Sequence, residues 1–146
     1  MRLASGQKRL SLGVLVQAGY RALIPFGTGH PYDLAIDDGG KFARVQCKTG
    51  RLLAEGVVFF PTASWCRNMS YRSYQGDVDL VGVYCPGTSE VYLVPIEDVP
   101  AKGAYLRVAP TKNGQSRDVR WAKDYVIWPK PADIGQARCT TASGAA

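Results

Sequence analysis

The chain has 146 residues, enough for one domain that buries roughly 70% of the surface its unfolded chain would expose. Its 46% apolar and 21% charged content is that of a soluble globular protein and excludes a disordered polyelectrolyte; no apolar run approaches the roughly 20 residues of a membrane span. Lys and Arg number 18 against 12 Asp and Glu, and the net charge of +6 suits a polyanionic partner without saying anything about sequence preference.

Near the start, Lys8 and Arg9 before an apolar run mimic a secretory signal, but Gln17, Tyr20 and Arg21 interrupt it. Leu12, Leu15, Val16, Gly19, Tyr20 and Leu23 follow helical spacing instead, which predicts an amphipathic helix from Ser5, a possible N-cap, to Ala18, with Gly19 as its stop. A strand from Tyr20 to Pro25 and a loop from Gly27 to Pro31 lead into a hairpin that ends at Lys48.

Pleating places residues two apart on one face of a strand. In the hairpin's first strand Leu34 and Ile36 therefore alternate against Asp33, Ala35 and Asp37. In the second, Ala43, Val45 and Cys47 form the apolar set and leave Phe42, Arg44, Gln46 and Lys48 on the other face. An even-length turn centred on Asp38 and Gly39 would set Asp33 opposite Arg44 and diagonal to Gln46, with Gln46 and Lys48 ~7 Å apart along the strand. An odd-length loop would move Asp33 to the wrong face. One carboxylate, one amide and one amine then share a surface, a set suited to metal-dependent phosphodiester cleavage. By spacing alone, the solvated face of an ordinary hairpin is the favoured reading of the same residues.

Another apolar strand runs from Gly56 to Phe60. From Ala63 to Gly76 the chain interleaves Trp65, Arg67, Tyr71, Arg72 and Tyr74, either for phosphate contact and base stacking or as a loop or helix packed over the sheet. Val78 to Tyr84 and Val91 to Pro95 read as a second hairpin turning at Pro86 and Gly87. Asp79, at its start, could be a further acidic ligand or bond a neighbouring backbone N–H, the second being favoured. A turn from Ile96 to Val99 precedes a strand from Tyr105 to Val108. The loop Thr111 to Ser116, with Lys112, Asn113 and Gln115, is either a phosphate or groove contact or a simple chain reversal. Arg117 to Tyr125 suits a short helix, and the Pro, Gly, Ala, Ser and Thr content of 129–146 suits a disordered tail beyond a domain of residues 1–128.

Cys47, Cys66, Cys85 and Cys139 include no close pair, and His30 is the one histidine, so no zinc-ligand spacing can be assembled. Cys47 and Cys85 read as small buried hydrophobes, and reduced thiols suit a cytoplasmic protein.

Three segments in order, "HPYDLAIDDGGKFARVQCKTGR" (His30 to Arg51), "GDVDLVGVYCPGTSEVYLVP" (Gly76 to Pro95) and "LRVAPTKNGQ" (Leu106 to Gln115) with "RWAKDY" (Arg120 to Tyr125), resemble the PD-(D/E)XK nuclease superfamily, within it the small endonucleases similar to group I intron homing enzymes. The resemblance implies an α/β fold, a restriction-endonuclease-like mixed β-sheet core flanked by helices, and a divalent metal, usually Mg2+, beside the hairpin. Asp33 then matches the metal-binding acid, with the main-chain carbonyl of Cys47 as a further ligand. Gln46 takes the place of the more usual acid, and Lys48 matches the Lys that assists the attacking water. Arg67, Arg72, Lys112, Asn113 and Gln115 are the candidate nucleic-acid contacts.

The implied function is a metal-dependent DNA endonuclease on double-stranded DNA, with a homodimer or homotetramer as the usual way to cut both strands. The alternatives are a nuclease-fold protein that binds nucleic acid without cleaving it, and an unrelated basic RNA-binding or protein-interaction module that stacks bases on the aromatics between Trp65 and Tyr74. Similar proteins often carry a Glu on the first helix, whereas no acidic residue precedes Asp33 here. Asp37, Asp79 or substrate phosphate could make up the charge, or a start upstream of Met1 could have supplied the missing residue.

Overall fold

Twelve residues of helix, α1 (Gly6–Gln17), form where a helix was expected, but of its expected apolar face Leu15 is buried and Val16 is exposed, and Leu23 falls in the strand that follows. The structure, a computed structural model, describes residues 6–65, 68 and 70–128. The expected N-cap Ser5, the thiols Cys66 and Cys139, the candidate contact Arg67 and the expected tail 129–146 lie outside the described residues. Gly19 ends the helix with φ 89°. Its N–H donates to the Val16 carbonyl and that of Tyr20 to the Leu15 carbonyl, both at 2.9 Å, a left-handed stop that glycine adopts without a Cβ clash.

The strands follow as β1 (Arg21–Leu23), β2 (Leu34–Asp38), β3 (Lys41–Thr49), β4 (Arg51–Leu53), β5 (Val57–Pro61), β6 (Ala63–Trp65), β7 (Tyr71–Ser73), β8 (Leu80–Cys85), β9 (Glu90–Pro95), β10 (Gly103–Arg107) and β11 (Val126–Trp128). They form a six-stranded sheet in the order β1-β2-β3-β8-β9-β11, a three-stranded sheet β10-β5-β4, and a ribbon β6-β7. Within the large sheet β3 and β8 run parallel and the other neighbours antiparallel, so the sheet is mixed.

Alternation along β3 and β8 sorts the side chains into two cores. On one face Leu15 of α1 packs on Leu34, Ile36, Val45 and Cys47. On the other, Val81, Val83, Tyr92 and Val94 of β8 and β9 meet Val58, Phe60, Ala104 and Leu106 of the smaller sheet. Among the described residues this second face is covered by strands, and α1 covers the first. The parallel register sets Gln46 beside Val81 and Lys48 beside Val83. The polar residues of β3 thus lie on the face that the small sheet covers further along, where its cover has ended.

Gly50 makes the passage from β3 into the smaller sheet possible. A Cβ there would stand 2.7 Å from Cγ1 of Val58 and 2.9 Å from Cγ1 of Val83. Its N–H is held by the Tyr84 carbonyl at 2.7 Å.

Three sequence expectations change. The hairpin turns at Gly39 and Gly40, with φ 65° and 91°, and Asp38 pairs with Lys41. A two-residue turn of this kind needs positive φ at both central positions, which the glycine pair meets and an Asp38–Gly39 centre meets less readily. Within the segment 63–76, read as phosphate-contacting and stacking residues or as a loop or helix over the sheet, β6 and β7 pair as a ribbon, with Ser64 opposite Arg72. Of the helix expected over Arg117 to Tyr125, a single 3-10 turn at Ala122–Asp124 forms. The Arg107 N–H donates to the Arg120 carbonyl at 2.7 Å and draws the segment out beside β10. Among the described residues no helix is long and apolar enough to cross a membrane.

Candidate active site

The corrected hairpin register brings the motif together more tightly than expected. Leu34 faces Val45, so Asp33 stands next to Gln46 rather than opposite Arg44. The Asp33 N–H donates to the Val45 carbonyl at 2.9 Å. Its Oδ2 accepts the Cys47 N–H at 2.9 Å and Nε2 of Gln46 at 2.6 Å. The carboxylate therefore takes the place of a backbone acceptor at the point where strand β2 begins. The Cys47 N–H of the strand edge and the Gln46 amide together set its orientation. Because a carboxylate accepts, the Gln46 amide nitrogen faces it, and Oε1 is the amide atom left for another partner.

Lys48 lies on the same face two residues on, and its Nζ sits 4.8 Å from the centroid of the Tyr74 ring. Tyr74 is 6% exposed, so the ring serves as a fixed platform for the ammonium rather than as a surface for base stacking. Its contact with Lys48 arises only once β7 folds back over β3, which no local spacing encodes.

Asp33, Gln46 and Tyr74 line one open cavity of about 380 Å3 together with Gly29, His30, Pro31, Ser64, Arg72 and Asp77. The loop 29–33 forms one wall and the ribbon another. His30 is fixed by Nε2 on the Phe26 carbonyl at 2.7 Å. Arg72 reaches the cavity from the ribbon and donates through Nε and Nη2 to Oδ2 of Asp77 at 3.2 and 2.9 Å.

Asp79 and Asp37 are engaged elsewhere. Asp79 accepts the Arg44 N–H at 2.8 Å and pairs with the Arg44 guanidinium at 3.1 Å through each oxygen. The hydrogen bond from Arg44 holds the Asp79 carboxyl below its usual range, and the same bond raises Arg44. Asp79 is thus a strut between β3 and β8, as the structural reading favoured. Asp37 accepts the Gly40 N–H at 2.9 Å and lies 4.0 Å from Arg21 at the far end of the hairpin.

Of the expected nucleic-acid contacts, Arg72 lines the cavity and Lys112, Asn113 and Gln115 do not. Those three sit in an exposed loop closed on itself: Oδ1 of Asn113 accepts the Gln115 N–H at 3.3 Å, and Thr111 Oγ1 donates to the Gln115 carbonyl at 2.8 Å. Asp77 escaped the sequence reading because its neighbour Asp79 has the stronger strand context.

The Cys47 side chain is buried in the core under α1, so this residue can offer the site its main chain alone. Carboxylate, amide and peptide oxygens at Asp33, Gln46 and Cys47 form a hard donor set that fits a cation such as Mg2+. Among the described residues no three His, Cys, Asp or Glu side chains gather closely enough to hold a metal unaided. Substrate oxygens are the natural complement to so small a set.

A sequence profile of the PD-(D/E)XK endonuclease family matches residues 7–128. Among solved structures the chain is similar to a bacterial homing endonuclease, I-Ssp6803I, with a TM-score of 0.64 at 19% identity over 82% of this chain and 83% of that one. No curated protein matches the chain significantly in sequence. The restriction-endonuclease-like mixed sheet expected from the sequence is the fold found.

Proposed function

Because the chain belongs to the PD-(D/E)XK endonuclease family, we propose that it hydrolyses phosphodiester bonds of double-stranded DNA in the cavity lined by Asp33 and Gln46, beside Lys48, with Mg2+ as the ion, as a homodimer or homotetramer. The observation that carries this reading is the 2.6 Å bond between Gln46 and Asp33 at the floor of a concave site, with Lys48 on the same face. A divalent ion held by Asp33, Gln46 and the Cys47 carbonyl would supply Lewis acidity toward a phosphoryl oxygen and toward an attacking water.

The protein's own part is positioning. Asp33, held by the Cys47 N–H, offers a carboxylate in a set direction. Gln46 and the Cys47 carbonyl add neutral oxygens. Lys48, steadied over Tyr74, places its ammonium where it can orient water and offset the charge growing on phosphate. Arg72 on the wall, with Lys112 on an exposed loop outside the cavity, supplies phosphate contacts that set the duplex on the site.

The test is incubation of supercoiled plasmid and a panel of duplexes with the protein and Mg2+, repeated with Asp33→Ala, Lys48→Ala and chelator. Cleavage lost in all three supports the reading. Salt-sensitive binding with no cleavage of any substrate would favour the second reading, a nuclease fold that binds without cutting. That alternative draws on the single carboxylate among the motif positions.

A further inference from the structure

We infer that Asp77 is the second carboxylate of the metal centre, masked by Arg72 until a substrate phosphate takes the guanidinium. The inference rests on the endonuclease reading above and adds to it a residue outside the motif. Three observations lead to it.

The first is a charge deficit. With glutamine at position 46 and no acid before Asp33, the motif offers a divalent ion one negative charge. Asp77 is the other carboxylate among the described residues lining the cavity that holds Asp33 and Gln46. His30, on the same wall, has its Nε2 committed to the Phe26 carbonyl.

The second is how Asp77 is mounted. Its N–H donates to the Tyr74 carbonyl at 3.1 Å, and Gln75 bridges to Val78, so Asp77 projects from a closed turn. Nη1 of Arg44 holds the Gly76 carbonyl of that turn at 3.1 Å while the same guanidinium grips Asp79. The turn is therefore braced against β3, the strand that carries Gln46 and Lys48.

The third is the partner. Arg72 bonds a single oxygen of Asp77, and its side chain is 62% exposed against 30% for Asp77. An ion pair this open is weak and exchanges readily for a phosphate, which matches the guanidinium fork at least as well. A cation held at the cavity wall thus stands where positive charge is needed and can be handed to the substrate. Linkage then requires that phosphate binding and metal binding favour one another.

The test is an electron paramagnetic resonance titration of Mn2+ into the metal-free full chain, as wild type, Asp33→Ala, Asp77→Asn, Asp77→Glu, Arg72→Ala and the Arg72→Ala/Asp77→Asn double variant, with circular dichroism to check folding. Asp77→Asn should weaken Mn2+ binding about tenfold or more, and Asp77→Glu, which keeps the charge, should recover most of it. Arg72→Ala should tighten binding roughly twofold to fivefold, and that gain should vanish in the double variant. Wild-type affinity in Asp77→Asn, or a gain from Arg72→Ala that survives without the carboxylate, overturns the inference. If Asp33→Ala loses Mn2+ while Asp77→Asn retains it, the endonuclease reading stands and this inference falls. A wild type that binds no Mn2+ overturns both.

Discussion

Gln46 donates through Nε2 to Oδ2 of Asp33 at 2.6 Å, and the same oxygen accepts the Cys47 N–H. An amide at position 46 therefore satisfies the neighbouring carboxylate, which a second acid could not do without repulsion. Gln46→Glu should lower the melting temperature of the metal-free protein by about 3–6 °C, for a loss of about 1–2 kcal/mol. Added Mg2+ should restore it. Thermal melts with and without the ion check this, and an unchanged metal-free melt would mean that the two side chains do not face each other in solution.

Tyr74 acts on Lys48 through its ring face. Tyr74→Phe keeps the ring and should cleave DNA at close to the wild-type rate. Tyr74→Leu should slow single-turnover cleavage roughly twofold to fivefold, the value of a partly exposed cation–π contact. Lys48→Ala should slow it at least a hundredfold or so. Equal rates for the Phe and Leu variants would remove the ring from the account.

The Arg44–Asp79 pair gives a pH signature. Its hydrogen bonds lower the folded carboxyl below its unfolded value, so their contribution is full above about pH 4 and disappears as the pH falls through the folded pKa. Asp79→Asn should cost about 1 kcal/mol at neutral pH, a modest figure because the pair is partly exposed. The gap between wild type and variant should close in urea unfolding series taken from pH 5 to pH 2. A gap constant across that range would assign the cost to packing.

At Gly50 the two sheets approach too closely for a side chain. Gly50→Ala should destabilise by about 1–3 kcal/mol through overpacking against Val58 and Val83. Trimming the first of these, as Gly50→Ala/Val58→Ala, should recover less than the alanine's own cavity costs. Chemical denaturation measures both, and a neutral Gly50→Ala would contradict the close approach.

Lys112 sits on an exposed loop away from the cavity wall. As a phosphate contact it should weaken duplex binding alike for all sequences when changed to alanine, and reduce the slope of log affinity against log salt by about one. Fluorescence anisotropy at several salt concentrations reads both. An unchanged slope would leave the loop as a chain reversal.

The elements legible in the sequence were those whose pattern is local. Apolar spacing and Gly19 mark α1, and strict alternation places Gln46 and Lys48 on one face of β3. The register of the hairpin was misplaced by two residues because Asp38–Gly39 is also a common turn pair; the φ values of Gly39 and Gly40 decide it. Strand β4 is exposed at all three positions and β11 pairs irregularly with β9, so neither leaves an alternating trace. The ribbon strands β6 and β7 are three residues each. The parts of the site they carry, Arg72 and the platform Tyr74, depend on where the ribbon lands, and Asp77 acquires its partner the same way.

The ribbon β6-β7 is a sheet of its own, while Asp33, Gln46 and Lys48 belong to the large sheet and the loop that enters it. The candidate site is consequently assembled from different stretches of chain. The ribbon shares no ladder with the large sheet, yet Tyr74, which follows β7, seats Lys48 and accepts the Asp77 N–H, so a change in where the ribbon lands would move both. A fold divided in this way makes the geometry of the site depend on how two separate sheets dock.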